Sequence, residues 1–251
     1  MASTSLVPGQ PIPDRPIPGN DVSALILGAG EGVRMGQGPK AFLRLQAQTL
    51  LERAILSVAP YCAEIIAGVR EADIPLAEEL VNRLRLATRV LLVPGGRERQ
   101  ETVTRLVENA ACSLVLLHEV ARPFARADSF AAVLAAASEH GAAALYTELR
   151  VRDGLALMRN GAFAASLPRA EVVALQTPHA YHRTTLLDAH RRAQQSGRRE
   201  DSTVALVQWA GYGVRLLPGC ADNIKITYPE DWERVLAMSQ VMPAPENAQA
   251  A

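Results

Sequence analysis

Residues 24–40 read Ala-Leu-Ile-Leu-Gly-Ala-Gly-Glu-Gly-Val-Arg-Met-Gly-Gln-Gly-Pro-Lys. The first four residues are all apolar, which is typical of a short strand buried on both faces of a parallel sheet. Five glycines follow between positions 28 and 38. Glycine lets backbone N–H groups approach an anion closely, and Arg34 and Lys40 add two positive charges. The stretch therefore predicts a strand that runs into a phosphate-binding loop.

Two better-known glycine motifs are excluded by this loop. The dinucleotide fingerprint G-x-G-x-x-G would need a third glycine where Val33 stands. The P-loop would need Gly-Lys followed by Ser or Thr, whereas the chain has Gly38-Pro39-Lys40-Ala41. A plain structural turn remains an alternative for an isolated glycine loop. The two basic side chains favour nucleotide phosphates.

Apolar runs and helical periodicity alternate along the rest of the chain. The predicted strands are 24–27, 64–69, 90–93, 114–117, 142–146 and 214–217. The predicted helices are 49–57, 75–84, 102–110, 130–139, 184–195 and 229–239. This order indicates an α/β fold with a Rossmann-like, mostly parallel sheet flanked by helices. Because ligands of open sheets bind beyond the carboxyl ends of the strands, the loops at Gly28, Gly95 and His118 should converge on one site.

Residues 148–169 interrupt this alternation. Two short segments flank Asn160-Gly161, and Asn-Gly is the strongest short-range hairpin signal. A hairpin that projects from a core cannot bury both of its faces alone. It is either a surface excursion or a dimerisation arm exchanged with a second subunit, and we favour the arm and hence a homodimer.

Composition limits the function classes. The 251 residues carry a formal net charge of zero, which argues against a nucleic-acid-binding protein. No apolar run approaches the ~20 residues of a membrane span. We expect one α/β domain over 21–241, with disordered tails at 1–20 and 242–251. The first of these tails lacks the apolar segment of a secretory signal. The three cysteines show no metal-binding spacing and suggest a reducing cytoplasm.

The glycine loop resembles the signature loop of sugar-nucleotide pyrophosphorylases and cytidylyltransferases. The matching residues are Gly-x-Gly-x-Arg-Met-Gly, starting at Gly30, followed by Pro39-Lys40. In that resemblance the loop wraps the triphosphate of a nucleotide, and Arg34 and Lys40 brace the α-phosphate. The nucleotide-binding residues implied here are Leu27, Gly28, Ala29, Gly30, Glu31 and Gly32.

Four further segments resemble motifs of the same enzymes. Residues 95–103 resemble a Gly-Gly-x-x-Arg-x-x-[Ser/Thr]-Val segment that holds a pyrimidine base, which implies base contacts from Gly95, Gly96, Arg99 and Thr102. Residues 118–123 resemble His-Asp-Ala-Ala-Arg-Pro, which implies a metal-supporting acid at Glu119 and a substrate contact at Arg122. Residues 176–178 resemble a Gln-Thr-Pro segment that places Thr177 near the acceptor. Residues 222–231 resemble Asp-Asn-Ile-Lys-[Val/Ile]-Thr-x-Pro-Glu-Asp, whose lysine is Lys225.

Taken together, the matches resemble the 2-C-methyl-D-erythritol 4-phosphate cytidylyltransferase family of the non-mevalonate isoprenoid pathway. Ribitol-5-phosphate cytidylyltransferases share the motifs and are the close alternative. The resemblance implies that an acceptor phosphate attacks the α-phosphorus of CTP in line and that pyrophosphate leaves. It also implies Mg²⁺ as cofactor and a catalytic set of Arg34, Lys40 and Lys225. CTP and a small polyol phosphate would be the binding partners.

Several residues depart from the family pattern. Glu119 replaces the usual aspartate, and Gly154 and Ala156 replace a threonine and a lysine expected to touch the acceptor across a dimer. Arg169 matches an arginine at the base of the arm and would compensate as a substrate contact. Asp201 is the candidate substrate residue of a loosely matching segment, 200–203. These departures leave two alternative functions open. The acceptor could be another polyol phosphate or a phosphonate, or the protein could be a catalytically silent nucleotide-binding paralogue.

Overall fold

A seven-stranded sheet forms the centre of the protein in the computed structural model, which describes residues 21–36 and 38–242. Its strands are β1 (Val22–Leu27), β4 (Glu64–Val69), β5 (Arg89–Pro94), β6 (Leu114–Glu119), β7 (Ala142–Glu148), β10 (Val173–His182) and β11 (Arg215–Pro218). Two small hairpins complete the strand set: β2 (Arg44–Leu45) with β3 (Gln48–Thr49), and β8 (Leu155–Arg159) with β9 (Ala162–Leu167). The tail predicted at 1–20 lies outside the described residues, as does the tail predicted at 242–251 except for Met242.

The strands of the large sheet follow the order β11-β7-β10-β6-β1-β4-β5. β1 pairs in parallel with β4 and β6, β4 with β5, and β11 with β7. Only β10 runs antiparallel, against both β6 and β7, among the strands that the structure describes in this sheet. The predicted Rossmann-like, mostly parallel α/β fold is therefore confirmed.

Seven α-helices cover the two faces of the sheet in the described chain. They are α1 (Leu50–Val58), α2 (Ile74–Leu84), α3 (Arg99–Asn109), α4 (Ala127–His140), α5 (Arg183–Ser196), α6 (Thr203–Trp209) and α7 (Pro229–Ser239). Side chains along β1 point alternately to the two faces of the sheet. Ala24 and Ile26 lie in the hydrophobic core shared with α1, α2, α4 and α7. Leu25 lies in the core on the other face, shared with α3, α5 and α6. Residues 22–26 of the strand are buried, as the apolar sequence predicts, and Leu27 at its end is half-buried.

Strand β10 is the main element that the periodicity did not predict. Pro178 interrupts its sequence, and a proline usually argues against a central strand because it cannot donate to the ladder. Here the register against β7 shifts between Gln176 and His179, so the proline falls at an irregularity of the pairing. Helix α6 was also not predicted, because its 7 residues give too short a periodic signal.

The hairpin predicted around Asn160-Gly161 is present as β8 and β9. Both turn residues take left-handed backbone conformations, with φ of 50° at Asn160 and 77° at Gly161, as a type I′ turn requires. The hairpin forms a separate two-stranded sheet between β7 and β10. Its tip exposes Met158 (70%) and Phe163 (74%), so its apolar surface is not covered by its own chain.

Candidate active site

A cleft of about 630 Å³ lies at the carboxyl edge of the parallel strands. The sheet register places strand ends side by side there: Leu27 pairs with Glu119, and Val69 pairs with Pro94. The loops that leave β1, β5 and β6 consequently converge, as predicted. The cleft lining includes these predicted residues: Leu27, Gly28, Ala29, Gly30, Glu31, Gly32, Arg34, Lys40, Gly95, Gly96, Arg99, Thr102, Glu119 and Lys225.

Glycine is needed for steric reasons at one position of the glycine loop and at one position of the loop after β5. Gly32 has a φ of 72°, and a Cβ there would lie 2.1 Å from the carbonyl oxygen of Gly38, so the two ends of the loop approach within backbone contact. A Cβ on Gly95 would lie 2.1 Å from the Cβ of Ala29. The loop after β1 and the loop after β5 thus pack directly on each other, and side chains at these positions would close the space between them.

Lys225 reaches this cleft from the distant segment that follows β11. Its Nζ lies 2.9 Å from Oε2 and 3.1 Å from Oε1 of Glu119, at the end of β6. Arg99 at the start of α3 donates from Nε to Oε1 of the same carboxylate at 3.0 Å. Arg122 Nε lies 3.7 Å from its other oxygen. Three cations from three parts of the chain therefore surround Glu119.

Hydrogen bonds to backbone carbonyls hold residues 223–226, the segment that contains Lys225, in place. Lys40 Nζ donates to the carbonyl of Ile226 at 2.8 Å, which ties the glycine loop to this segment. The Ile226 amide donates to the carbonyl of Ala121 at 2.8 Å. Arg122 donates from Nη1 to the carbonyl of Asn223 at 2.7 Å. These contacts run residues 223–226 alongside residues 119–122 and point Lys225 at Glu119.

The positive charges of the site act on one another. Burial lowers the pKa of Lys40, and the nearby charges of Arg34 and Lys225 lower it further. Burial alone would raise the pKa of Glu119, but Lys225, Arg99 and Arg122 outweigh it and hold that pKa well below the usual range. Glu119 is therefore ionised at neutral pH. Lys40 and Lys225 are also the only two lysines in the sequence, so both ammonium groups of lysine side chains lie here.

The loop after β5 keeps its shape through Thr102. Its hydroxyl accepts from the Gly96 amide at 3.0 Å and donates to the Glu98 carbonyl at 3.1 Å. Thr102 is 4% exposed, so the hydroxyl that the sequence offered as a base contact is engaged inside the loop. Thr102 would therefore affect a bound base by fixing the position of Gly96.

Four predicted substrate residues lie outside the cleft in the described chain. Arg122 is buried and supports the backbone, and Arg169 donates to the carbonyls of Arg152 (3.0 Å) and Asp153 (2.9 Å) at the base of the hairpin. Thr177 is 2% exposed and accepts at its carbonyl from Asn223. Asp201 is exposed on the bend before α6.

Other residues take part in the site although the sequence did not single them out. From the segment 200–203 it is Thr203 that reaches the cluster, accepting from Arg99 Nη1 at 2.7 Å. The register of that segment is fixed by Ser202, which caps α6 by accepting from the Ala205 amide. The further cleft-lining residues are Val33, Arg70, Glu71, Arg97, Glu98, Val120 and Ala121. Five of these residues lie inside the quoted motifs, whereas Arg70 and Glu71 follow the end of β4. Motif membership or a position after a strand end was therefore the available signal.

The donor set at Glu119 fits a magnesium ion that takes most of its ligands from a nucleotide. No group of three or more His, Cys, Asp or Glu side chains that could hold a metal ion exists within residues 21–36 and 38–242. Glu119 is an ionised carboxylate on the cleft wall. Mg²⁺ is commonly bound by one or two carboxylates together with waters and substrate phosphates. Glu119 is one such carboxylate, and Glu31, Glu71 and Glu98 line the same cleft.

Three histidines of the described chain are buried: His118, His179 and His190. His179 is 3% exposed and its Nδ1 lies 3.1 Å from the hydroxyl of Tyr181. His190 on α5 is 2% exposed, with Nδ1 2.8 Å from Thr104 Oγ1. Because that hydroxyl donates to the Gln100 carbonyl, it accepts from Nδ1–H of His190, and burial lowers the pKa of His190 to about 4, so the ring is neutral at pH 7.

This neutral histidine predicts an acid-sensitive stability. Burial lowers the pKa of His190 from 6.5 to about 4, so the unfolded chain binds the extra proton first as the pH falls. The neutral ring of His190 makes its full contribution to the free energy of unfolding above pH 6.5. This contribution, about 3 kcal/mol, is lost as the pH falls towards 4. Urea unfolding at pH 7 and pH 4.5 should show that loss, and His190→Gln should unfold with a smaller pH difference. An equal pH difference in both proteins would contradict the assignment.

The fold and the cleft together define a nucleotide-binding α/β enzyme. Glycine-loop amides and several cations border one cleft at the carboxyl ends of parallel strands, where such sheets bind their ligands. A family model described as 2-C-methyl-D-erythritol 4-phosphate cytidylyltransferase matches residues 22–240. The chain therefore belongs to the 2-C-methyl-D-erythritol 4-phosphate cytidylyltransferase family, and it is a nucleotidyltransferase.

Individual relatives agree with this assignment. The 2-C-methyl-D-erythritol 4-phosphate cytidylyltransferase of Thermus thermophilus is 36% identical over 89% of this chain and 100% of its own length. That of Deinococcus radiodurans is 34% identical over 83% of this chain and 85% of its own. The crystal structure of the Thermus thermophilus enzyme superposes with a TM-score of 0.73, covering 88% of this chain and 100% of that one. The fold of this chain thus matches that of the Thermus thermophilus enzyme.

Proposed function

We propose that this cytidylyltransferase transfers CMP from CTP to 2-C-methyl-D-erythritol 4-phosphate in its cleft, giving the CDP-linked polyol and pyrophosphate for isoprenoid precursor synthesis. The observation that supports this placement is the meeting of Arg34, Lys40 and Lys225 beside the glycine loop. A triphosphate carries several negative charges at neutral pH, and three cations with a row of backbone amides match it. Membership of the family supplies the cytidylyl transfer itself.

The chemistry requires positioning and charge neutralisation rather than a covalent enzyme intermediate. An oxygen of the acceptor's phosphate forms a bond to the α-phosphorus of CTP, and the bond to the bridging oxygen of pyrophosphate breaks. Arg34, Lys40 and Lys225 would stabilise the negative charge that accumulates on the phosphoryl oxygens. Lys40 is fixed for this by its bond to the Ile226 carbonyl. Glu119 would orient Lys225 and Arg99 between turnovers.

We further propose Mg²⁺ as cofactor, held by Glu119 and the triphosphate. When bound, it supplies charge neutralisation on the phosphate oxygens. The remaining groups at this carboxylate are the protein's own cations, which already lower its pKa and keep it ionised. A chelator added to the assay should therefore abolish turnover, and Mg²⁺ in excess should restore it.

We propose that the hairpin β8–β9 docks on a second copy of the chain and that the enzyme is a homodimer. Its exposed apolar side chains, Met158 and Phe163, support this because an isolated two-stranded hairpin is marginally stable in water. Arg169 fixes the base of the hairpin through the carbonyls of Arg152 and Asp153. An acceptor pocket completed by the partner's arm would explain why Arg169 lies outside the cleft of its own chain.

Shortening the hairpin should therefore give a monomer of low activity. Residues 155–167 would be replaced by a short glycine-serine linker, since the hairpin forms its own sheet and leaves the seven-stranded sheet intact. Light scattering should show half the mass of the parent protein, and turnover should fall at least tenfold. Met158→Ser with Phe163→Ser provides a milder version. A dimer that survives the deletion would remove the arm from the interface.

The acceptor can also be another polyol phosphate, such as ribitol 5-phosphate. The observation that favours this alternative is the character of the arm: Gly154 and Ala156 are exposed and carry no polar side chain for an acceptor. A second alternative is a nucleotide-binding paralogue without activity, which the replacement of aspartate by Glu119 suggests.

One experiment separates these functions. Pyrophosphate release would be measured with CTP against 2-C-methyl-D-erythritol 4-phosphate, ribitol 5-phosphate and no acceptor. Release only with the methylerythritol phosphate supports the proposal, and release only with ribitol phosphate replaces it. Because the sequence holds only two lysines, protection of Lys40 and Lys225 from an amine-reactive reagent by CTP would show nucleotide binding independently. Protection without release with any acceptor would identify the silent paralogue.

The location of the enzyme is part of the proposal. Cys62, Cys112 and Cys220 are all free thiols in the structure. Unpaired cysteines are the rule in reducing compartments, and we propose a cytoplasmic enzyme on that basis. Among the helices that the structure describes, none has the length and apolar character needed to cross a bilayer.

A further inference from the structure

The turn that carries Arg34 lies exposed at the edge of the cleft. Residues Val33–Met35 form one 3-10 turn between Gly32 and Gly36, both of which have left-handed backbone conformations. Met35 anchors the turn from inside and is 3% exposed, whereas the side chain of Arg34 is exposed. In the described part of the chain, the Arg34 side chain makes no hydrogen bond or ion pair. Polar contacts within the protein therefore do not fix its guanidinium.

The guanidinium of Arg34 is held instead by an aromatic ring. Its Cζ lies over the ring of Tyr228, 5.5 Å from the centroid. This distance is within the ~6 Å over which a ring attracts a cation. Arg34 lines the cleft, whereas Tyr228 is not among the described residues that line it. A contact with the face of a ring uses no N–H group, so all five donors of the guanidinium stay available for phosphate oxygens.

The backbone that carries the Tyr228 ring is itself well held. The amides of Thr227 and Tyr228 both donate to Oδ2 of Asp231 at 2.9 Å, at the start of α7. Two residues before Tyr228, the carbonyl of Ile226 accepts from Lys40. One short segment, residues 225–228, therefore contacts both cations of the glycine loop.

Like charges oppose the position of Arg34 at the cleft. The charge of Arg34 lowers the pKa of Lys40, and Lys225 acts on Lys40 in the same direction. Before a triphosphate neutralises these charges, repulsion favours a turn of the exposed Arg34 side chain into water. The attraction of the Tyr228 ring offsets part of this repulsion.

We propose that Tyr228 is a positioning residue: its ring holds the guanidinium of Arg34 at the cleft before the nucleotide binds. This inference rests on the proposed function, which assigns the triphosphate to the cations beside the glycine loop. The entropy lost in ordering the long arginine side chain is then lost on folding rather than on binding, which strengthens the binding of a nucleoside triphosphate. Once bound, the triphosphate holds Arg34 itself, so the ring has little effect on the chemical step.

The test is removal of the ring. Tyr228→Leu should raise both the KM and the calorimetric Kd for CTP about twofold to fivefold, the range for an exposed cation–π contact, and should leave kcat near the parent value. Tyr228→Met is a second variant without the ring, and Tyr228→Phe keeps the ring and should behave like the parent protein. The chain offers a matched control in Trp209, whose ring lies 5.7 Å from Cζ of Arg198. Trp209→Leu removes a cation–π contact that does not involve the glycine loop and should change neither constant.

A double-mutant cycle separates positioning from a purely structural effect. In Arg34→Ala the ring has no guanidinium to hold, so the addition of Tyr228→Leu should change the Kd for CTP no further. Three results would overturn the inference. They are parent-like KM and Kd values in both variants without the ring, an equal loss in Tyr228→Phe, and the same loss in the Arg34→Ala background as in the parent protein.

Failure of the proposed function gives a different result, because the parent protein would then bind CTP without releasing pyrophosphate. In that case the Kd values of the same variants still decide the role of Tyr228. A parent protein that does not bind CTP refutes both proposals.

Discussion

Replacement of Lys225 by alanine is expected to lower kcat about 10²–10³-fold, the range seen when a single preorganised donor to a transition-state charge is removed. Lys225 Nζ lies in the cleft beside Glu119, opposite the glycine loop with Arg34 and Lys40. We expect its charge to interact more strongly with the developing phosphoryl charge than with the ground-state nucleotide. The loss should therefore appear in kcat more than in KM.

The fold should survive this substitution. The side chain of Lys225 is 41% exposed, so its pair with Glu119 is screened by water and contributes less than about 1 kcal/mol to stability. Glu119 also keeps Arg99 and Arg122 as partners. Steady-state kinetics and thermal unfolding would be measured on Lys225→Ala and on Lys225→Arg, which retains the charge. A parent-like kcat in Lys225→Ala would exclude this residue from the transition state.

The fold could be predicted where the sequence signal is local. The apolar run of β1, the capping box of Thr49 and Glu52 at α1, and the Asn160-Gly161 turn are each determined by residues close in sequence. Strand β10 could not be predicted because its pairing with β6 and β7 outweighs the presence of a proline. That pairing is a long-range property, and no local pattern carries it.

The residues of the site could likewise be predicted in part. Residues in loops that directly follow parallel strands, such as Gly28, Gly95 and Glu119, could be placed because strand ends must meet at one edge. Arg122 was expected at the substrate, but its guanidinium is drawn into the carbonyls of Asn223 and Leu175. An arginine next to a strand end can satisfy either a ligand or its own backbone, and only the fold shows which partners lie within reach.

Glu119 pairs with three cations that lie far apart in the sequence. Arg99, Arg122 and Lys225 come from α3, from the turn after β6 and from the segment before α7, and they share one carboxylate. The side chains of Glu119 and Arg122 are 8% and 9% exposed, so this pair has little water to replace a lost partner. Without the negative charge, three cations would face one another at the edge of the sheet.

Glu119→Gln should therefore lower the free energy of unfolding by about 3 kcal/mol at pH 7, the lower end of the range for breaking a buried pair, because Arg99 and Lys225 can regain hydration. Urea unfolding would measure this, with Glu119→Asp as the charge-retaining control that should lose less. The cations keep the pKa of Glu119 depressed in the folded protein, so its contribution is full above the ordinary carboxyl pKa of 4.5 and declines as the pH falls below it. The difference between the parent protein and Glu119→Gln should accordingly shrink in acid. A difference that stays constant down to pH 3 would show that the charge of Glu119 is not what holds the three cations together.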